Sequence, residues 1–190
     1  MYSMFKRIFD IFFAMIAITL LSPLFLFISL AIKYEDRGSV IYWSNRVGRE
    51  KRIFRMPKFR TMLIDSPQVA THLLENPNVL ITKVGFFLRR YSIDELPQLW
   101  SILIGDMSFV GPRPALFNQD DLVRIREERS INSLKPGLTG WAQVNGRDDL
   151  SIEEKVEYDN EYKSKASILF DIGIILKTIK IVITRFGVKH

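Results

Sequence analysis

Residues 11–32 read IFFAMIAITLLSPLFLFISLAI, from Ile11 to Ile32, with no charged side chain over 22 positions. As one helix, at ~1.5 Å per residue, the run would be roughly 33 Å long, close to the ~30 Å hydrocarbon core of a bilayer. It is expected to be a membrane segment. A cleaved signal peptide fits poorly, because the run is long and has no small-residue cleavage site before Lys33. Ser22-Pro23 lies at the midpoint. Pro23 has no N–H to give the Thr19 carbonyl and its ring crowds that turn, so a kink or break is expected there, with the Ser22 hydroxyl at hand for a freed carbonyl. Basic residues flank both ends, Lys6 and Arg7 before and Lys33 and Arg37 after, whereas a spanning helix carries them mainly on one side. Two readings follow. Either a Pro-kinked helix spans the bilayer, or two arms of ~11 residues, each reaching ~16 Å, enter and leave by one face.

The whole chain of 190 residues holds 27 Lys+Arg against 21 Asp+Glu, a net charge of +6. That length supports one ordinary domain with an appendage. A mean hydropathy of +0.07 beside 25% charged residues is high for a soluble chain, and the apolar excess sits in the N-terminal run. There is no cysteine, which removes disulfides, thiolate nucleophiles and Cys-ligated metals together. The only histidines are His72 and His190, so a Ser-His-Asp relay or a multi-histidine metal site has almost no material. Hard-cation chemistry with oxygen ligands passes this filter.

Beyond the run the chain reads as a small α/β piece. Strands are expected over Val40–Trp43 and Arg52–Phe59 with a turn at Gly48, and short helical turns over His72–Leu74, ended by Asn76-Pro77. Ser92–Ile104 and Leu116–Arg129 read as helices, Gly105–Pro114 and Asn132–Arg147 as Gly/Pro-punctuated loops. Ser151 with Glu154 forms a capping box opening a further helix. In the last segment Ile168, Ile172, Ile175, Leu176, Ile179, Val182, Ile183 and Phe186 follow the helical period onto one face, with Lys177, Lys180 and Thr184 opposite. Such a stripe suits a helix lying in the headgroup plane, or one packed on the domain's own core.

The densest run of reactive side chains is Arg89-Arg90-Tyr91-Ser92-Ile93-Asp94-Glu95-Leu96-Pro97-Gln98. Asp94 is placed to cap a helix, with Pro97 at a position where its missing N–H costs nothing. A helix N-terminus favours a carboxylate and equally a phosphate. Lys58 and Arg60 stand in Lys58-Phe59-Arg60-Thr61, Arg113 between Pro112 and Pro114, and Arg147 after Asn145-Gly146. An arginine between two prolines has little backbone freedom, which suits a phosphate clamp. No Walker A, GxGxxG or Asp-x-Asp pattern occurs, so any phosphate site here is of another design. A nucleic-acid-binding module would want its cations on one face with stacking aromatics, whereas here they sit in stiff loops around an acidic pair, which argues against nucleic acid.

Val47-Gly48, Lys58-Phe59-Arg60-Thr61-Met62, Leu88 to Trp100 (LRRYSIDELPQLW), Gly105–Pro114 (GDMSFVGPRP) and Gly140–Arg147 (GWAQVNGR) together resemble the bacterial sugar transferase family. These are the monotopic polyprenyl-phosphate phosphoglycosyl transferases. The similarity runs in order from Ser22-Pro23 to Asp171–Ile179, and the chain resembles the minimal form. It departs at Ser44, where glutamine is expected two residues before Arg46, and at Ala166, in place of the usual tryptophan.

The resemblance implies a mainly α, α/β cytoplasmic domain over residues 37–190, ending in an interfacial amphipathic helix. Residues 1–36 would be a re-entrant helix-break-helix broken at Ser22-Pro23, at the bacterial cytoplasmic membrane and in contact with its lipid. It implies transfer of sugar-1-phosphate from a UDP-sugar to undecaprenyl phosphate with release of UMP, the sugar expected to be an N-acetylated amino sugar. Asp94 would be the nucleophile and Glu95 its catalytic neighbour, the two also holding Mg²⁺. Lys58, Arg60, Arg89, Arg113 and Arg147 would bind phosphates. The competing reading is a membrane-bound glycosyltransferase that moves sugar alone and releases UDP.

Overall fold

The computed structural model describes residues 2–64, 66 and 80–184. The helical turn expected over His72–Leu74, and Phe186 of the terminal stripe, lie outside the described residues.

Helix α1 runs from Tyr2 to Asp36, 35 residues with Pro23 inside it. The chain is helical before, across and after Pro23, so the expected break does not separate two helices. Ser22 Oγ donates to the Thr19 carbonyl at 2.8 Å and serves the acceptor that Pro23 cannot. One face of α1 is packed along its length: Asp10, Ala14, Ile28 and Ile32 are buried, and Ala17, Ile18, Leu21 and Phe25 pack between them. Their spacing of three and four is that of a core-facing helix. The opposite face leaves Ile8, Phe12, Leu20, Leu26, Phe27 and Leu30 exposed.

Strands β1 (Ile41–Val47) and β2 (Ile53–Phe59) form an antiparallel hairpin with Ser44 opposite Met56, closed where Gly48 N donates to the Arg52 carbonyl at 2.8 Å. Then come α2 (Lys83–Arg90), a 3-10 turn (Ile93–Glu95), α3 (Gln98–Ile104) and β3 (Ser108–Val110). Helix α4 (Asp120–Glu128), β4 (Gly137–Thr139), α5 (Trp141–Val144), α6 (Ile152–Lys165) and α7 (Ile168–Thr184) complete the order. The capping box at Ser151 and Glu154 is formed.

Two stretches expected as loops carry strands, β3 and β4, paired in parallel with Ser108 opposite Gly137 and Val110 opposite Thr139. Glycine makes the approach possible: a Cβ on Gly137 would collide with the Gly111 backbone. The helix expected from Leu116 starts only at Asp120, because Leu116 bridges to Arg46 and its N–H is taken by Gln119 Oε1 at 2.8 Å.

Ala14 is buried with Met56, Leu99, Ile102 and Met107, while Ile28 and Ile32 are buried with Phe59 and Leu88. Residues on both sides of Asp36 therefore share core clusters. Both ends of α1 are also tied to this body. At one end Lys6 Nζ lies 2.5 Å from Asp171, which also accepts from Tyr2 and Tyr162 at 2.9 and 2.8 Å. Arg7 donates to the Ile102 and Leu103 carbonyls at the end of α3. At the other end Glu35 accepts the Lys83 and Val84 N–H groups at 2.7 and 3.0 Å and so caps α2.

Helix α7 docks through Asp171 and Ile174, with Phe170 and, from the expected stripe, Ile175 beside them. Leu169, Ile172, Leu176, Ile179 and Ile183 face outward.

Candidate active site

Strand β2 delivers Lys58 to the site, and the chain just beyond it supplies a seat for α2. A Cβ on Gly85 would collide with the Thr61 backbone, so glycine lets α2 settle there. Thr82 caps the helix by accepting from Gly85 N at 2.9 Å, and Arg89 Nε donates to Thr61 Oγ1 at 2.8 Å. Helix α2 ends at Arg90. Ser92, with φ 54°, takes the left-handed conformation and turns the chain into the 3-10 turn that carries Asp94 and Glu95. A serine in that region is strained, a condition that persists where the surrounding structure dictates it.

Asp94 does not cap a helix. It lies inside the 3-10 turn, closed by Leu96 N donating to the Ile93 carbonyl at 3.1 Å, and α3 begins only after Pro97 with no side-chain cap. The expected anion site at a helix N-terminus is thus replaced by side-chain cations.

Asp94 and Glu95 are each 8% exposed. Lys58 Nζ lies 2.8 Å from Glu95 Oε1 and 3.8 Å from Asp94 Oδ2, and Arg113 Nη2 is 3.3 Å from the same Glu95 oxygen. Burial raises the Asp94 carboxyl above its ordinary range and the Glu95 charge adds to this, while Lys58, Arg89 and Arg113 pull the other way without reversing it. Burial also works against ionised Glu95, but there Lys58, Arg113 and Arg147 prevail and hold it well below the carboxylate range. Of the five cations expected at phosphate, Lys58, Arg89, Arg113 and Arg147 converge on the acidic pair. Arg60 does not join them: β2 ends at Phe59, and the Arg60 guanidinium turns to Asp36 at 3.4 Å, against Gly38.

Sequence reasoning left Arg46 out of the site. Its Nε donates to Ser44 Oγ at 3.1 Å and its Nη1 to the Pro114 carbonyl at 3.3 Å. Burial and the nearby Arg113 charge lower its pKa to about 10, against the pull of Glu95. The signal was Ser44, the departure two residues ahead, which here orients that guanidinium.

The two carboxylates are hard oxygen donors of the kind magnesium takes with water and substrate phosphate completing the set. Among the described residues no third acidic side chain or histidine joins them in a metal-binding group. They fit a cation shared with a bound phosphate rather than a closed protein cage.

The profile of the bacterial sugar transferase family matches residues 1–185. The chain belongs to this family. The Sinorhizobium fredii exopolysaccharide production protein ExoY is 38% identical over 189 residues, covering 92% of this chain and 83% of its own length. The Aeromonas hydrophila UDP-N-acetylgalactosamine-undecaprenyl-phosphate N-acetylgalactosaminephosphotransferase is 40% identical, covering 99% of this chain and 46% of its own. The Escherichia coli UDP-glucose:undecaprenyl-phosphate glucose-1-phosphate transferase is 40% identical, covering 92% and 39%. The chain thus spans less than half the length of several relatives it matches and most of others. As a bacterial sugar transferase, it keeps the acidic pair and its cations inside the part that all of these share.

Proposed function

We propose that the protein transfers sugar-1-phosphate from a UDP-sugar to undecaprenyl phosphate and releases UMP. The observation that carries this reading is the asymmetry of the acidic pair: a buried Asp94 beside a Glu95 locked by Lys58 and Arg113. Phosphoryl transfer needs positioning and charge neutralisation more than proton chemistry, and a chain with two histidines is suited to that. An Asp94 oxygen attacks the phosphorus that bears the sugar, and the bond from that phosphorus to the bridging oxygen breaks. UMP leaves, and the sugar phosphate is held on Asp94. An oxygen of undecaprenyl phosphate then attacks the same phosphorus, freeing Asp94 and forming undecaprenyl diphosphate-sugar. Lys58, Arg89, Arg113 and Arg147 hold the phosphate oxygens in place. Asp94 and Glu95 would hold Mg²⁺, which when bound neutralises charge on the diphosphate.

The acceptor's lipid stays in the bilayer, which calls for a site at the membrane surface. Both ends of α1 are tied to the same body, and this supports an anchor that enters and leaves by one face, the cytoplasmic one. The donor is read as carrying an N-acetylated amino sugar, as in the Aeromonas relative's name, although the Escherichia coli relative's name carries glucose.

The test is nucleotide release by detergent-purified protein given undecaprenyl phosphate, Mg²⁺ and a panel of UDP-sugars, beside Asp94→Asn. UMP with one sugar, abolished in the variant, is the expected result. UDP in its place would select the sugar-only reaction, and an unchanged variant would remove Asp94 as nucleophile.

A further inference from the structure

Arg113 meets Glu95 with its side chain, while its backbone is held from behind. Pro112, Arg113 and Pro114 are three successive residues, two of which have no N–H, so the segment is anchored chiefly through its carbonyls. Each carbonyl has a donor. The Pro112 carbonyl accepts from Gly137 N at 2.9 Å, that of Arg113 from Arg126 Nη1 at 2.9 Å, and that of Pro114 from Arg46 Nη1 at 3.3 Å. Arg126 is itself fixed. Its Nε and Nη2 donate to one oxygen of Asp159, on α6, at 3.0 and 2.6 Å. Arg126 is 6% exposed and Asp159 1%.

A buried ion pair gives little net stability compared with apolar residues of the same size. An apolar pair in its place has no donor for the Arg113 carbonyl. We propose that Arg126, oriented by Asp159, is a positioning residue: it fixes the Pro112-Arg113-Pro114 backbone so that the Arg113 guanidinium faces Glu95 and the donor's phosphate. Asp159 on α6 thereby acts on the site through two arginines and touches no substrate. The inference rests on the reading of Arg113 as a phosphate-binding group in UMP-releasing transfer.

A double-mutant cycle on UMP release by the full chain tests it, with Arg113→Ala, Arg126→Lys and the two combined, melting being followed in parallel. Lysine keeps the charge for Asp159 but lacks the fork that serves Asp159 and the carbonyl together. Each single change is expected to lower kcat/KM for the donor roughly tenfold or more. The double variant is expected to lose little beyond Arg113→Ala alone, because Arg126 acts only through Arg113. A role in stability alone would instead let the factors multiply, and that result overturns the proposal. If Arg126→Lys does not fold, Asp159→Asn enters the same cycle and is read the same way. A wild type that releases no UMP overturns the reaction reading and this inference with it, whereas an active wild type with multiplying factors overturns only the inference.

Discussion

The Lys58 ammonium stands 2.8 Å from Glu95 Oε1, bridging β2 and the 3-10 turn. The same nitrogen is an ångström farther from Asp94, at 3.8 Å. Two adjacent carboxylates in one turn are thereby given opposite characters, one held in charged form by its cations and one whose ionisation burial opposes. On the proposed mechanism, with Asp94 as nucleophile, that division separates the holder of charge from the giver of electrons.

The pH dependence follows from Asp94. Its carboxyl is raised by burial, and attack needs the deprotonated form, so activity falls as pH drops through the raised value. The acid limb of kcat/KM for the donor is expected above the ordinary carboxylate value of about 4. A limb at or below that value would show that Asp94 titrates as an exposed acid.

Thermal melting should distinguish the two neighbours. A folded value above the unfolded one means that Asp94 favours folding in its protonated form, a contribution present below the unfolded value and lost as pH rises through the folded one. Asp94→Asn fixes the neutral state, so it should melt a few degrees above wild type near neutral pH and approach it near pH 4, of the order of 2–4 °C per kcal/mol for a chain of this size. Glu95 runs the other way: its lowered value contributes stability above the unfolded value, lost as pH falls towards the folded one. Glu95→Gln removes the closest carboxylate from Lys58 and Arg113 and should melt lower, since breaking a buried pair costs about 3–5 kcal/mol. Equal shifts in both variants would contradict the asymmetry.

The topology of α1 is open to labelling, helped by a chain without cysteine. Ser3 and Ser39 are exposed at its two ends. Ser3→Cys and Ser39→Cys, each alone, are expected to react with a membrane-impermeant maleimide from the same side of sealed vesicles. Labelling from opposite sides would make α1 a spanning helix.

The outward face of α7 gives a prediction that leaves the core alone. Leu176 and Ile179 are 62% and 49% exposed. Leu176→Asp with Ile179→Asp should shift the protein towards the soluble fraction after mild extraction with little change in melting temperature, because both side chains lie outside the buried core. Unchanged partitioning would remove α7 from the membrane contact.

The sequence disclosed the long apolar helix, the hairpin, the capping box and the acidic pair, since each has a local signature: an uncharged run, a glycine turn, Ser-x-x-Glu, and a carboxylate pair between arginines. It hid what depends on distant partners. The buried stripe of α1 was masked because its outer face is as apolar as its inner one, so no periodicity stands out. Strands β3 and β4 were masked by the glycines and prolines that let them approach. Arg60 was expected at phosphate together with Lys58, two residues before it, and just past the end of β2 at Phe59 its guanidinium instead meets Asp36. Asp159 carries no local signature, and its meaning lies 33 residues earlier, at Arg126.

The bond between Lys6 and Asp171 closes 165 residues of chain. The first turns of α1 leave the ribosome early, yet the carboxylate that neutralises Lys6 belongs to the last described helix. Until α7 is made and docked, the Lys6 ammonium lacks the carboxylate that neutralises it. A partly synthesised chain is therefore marked as unfinished at its own beginning, and contacts of such long range form late in folding. The first helix and the last described one thus lock each other in place, and the body closes only when both are present.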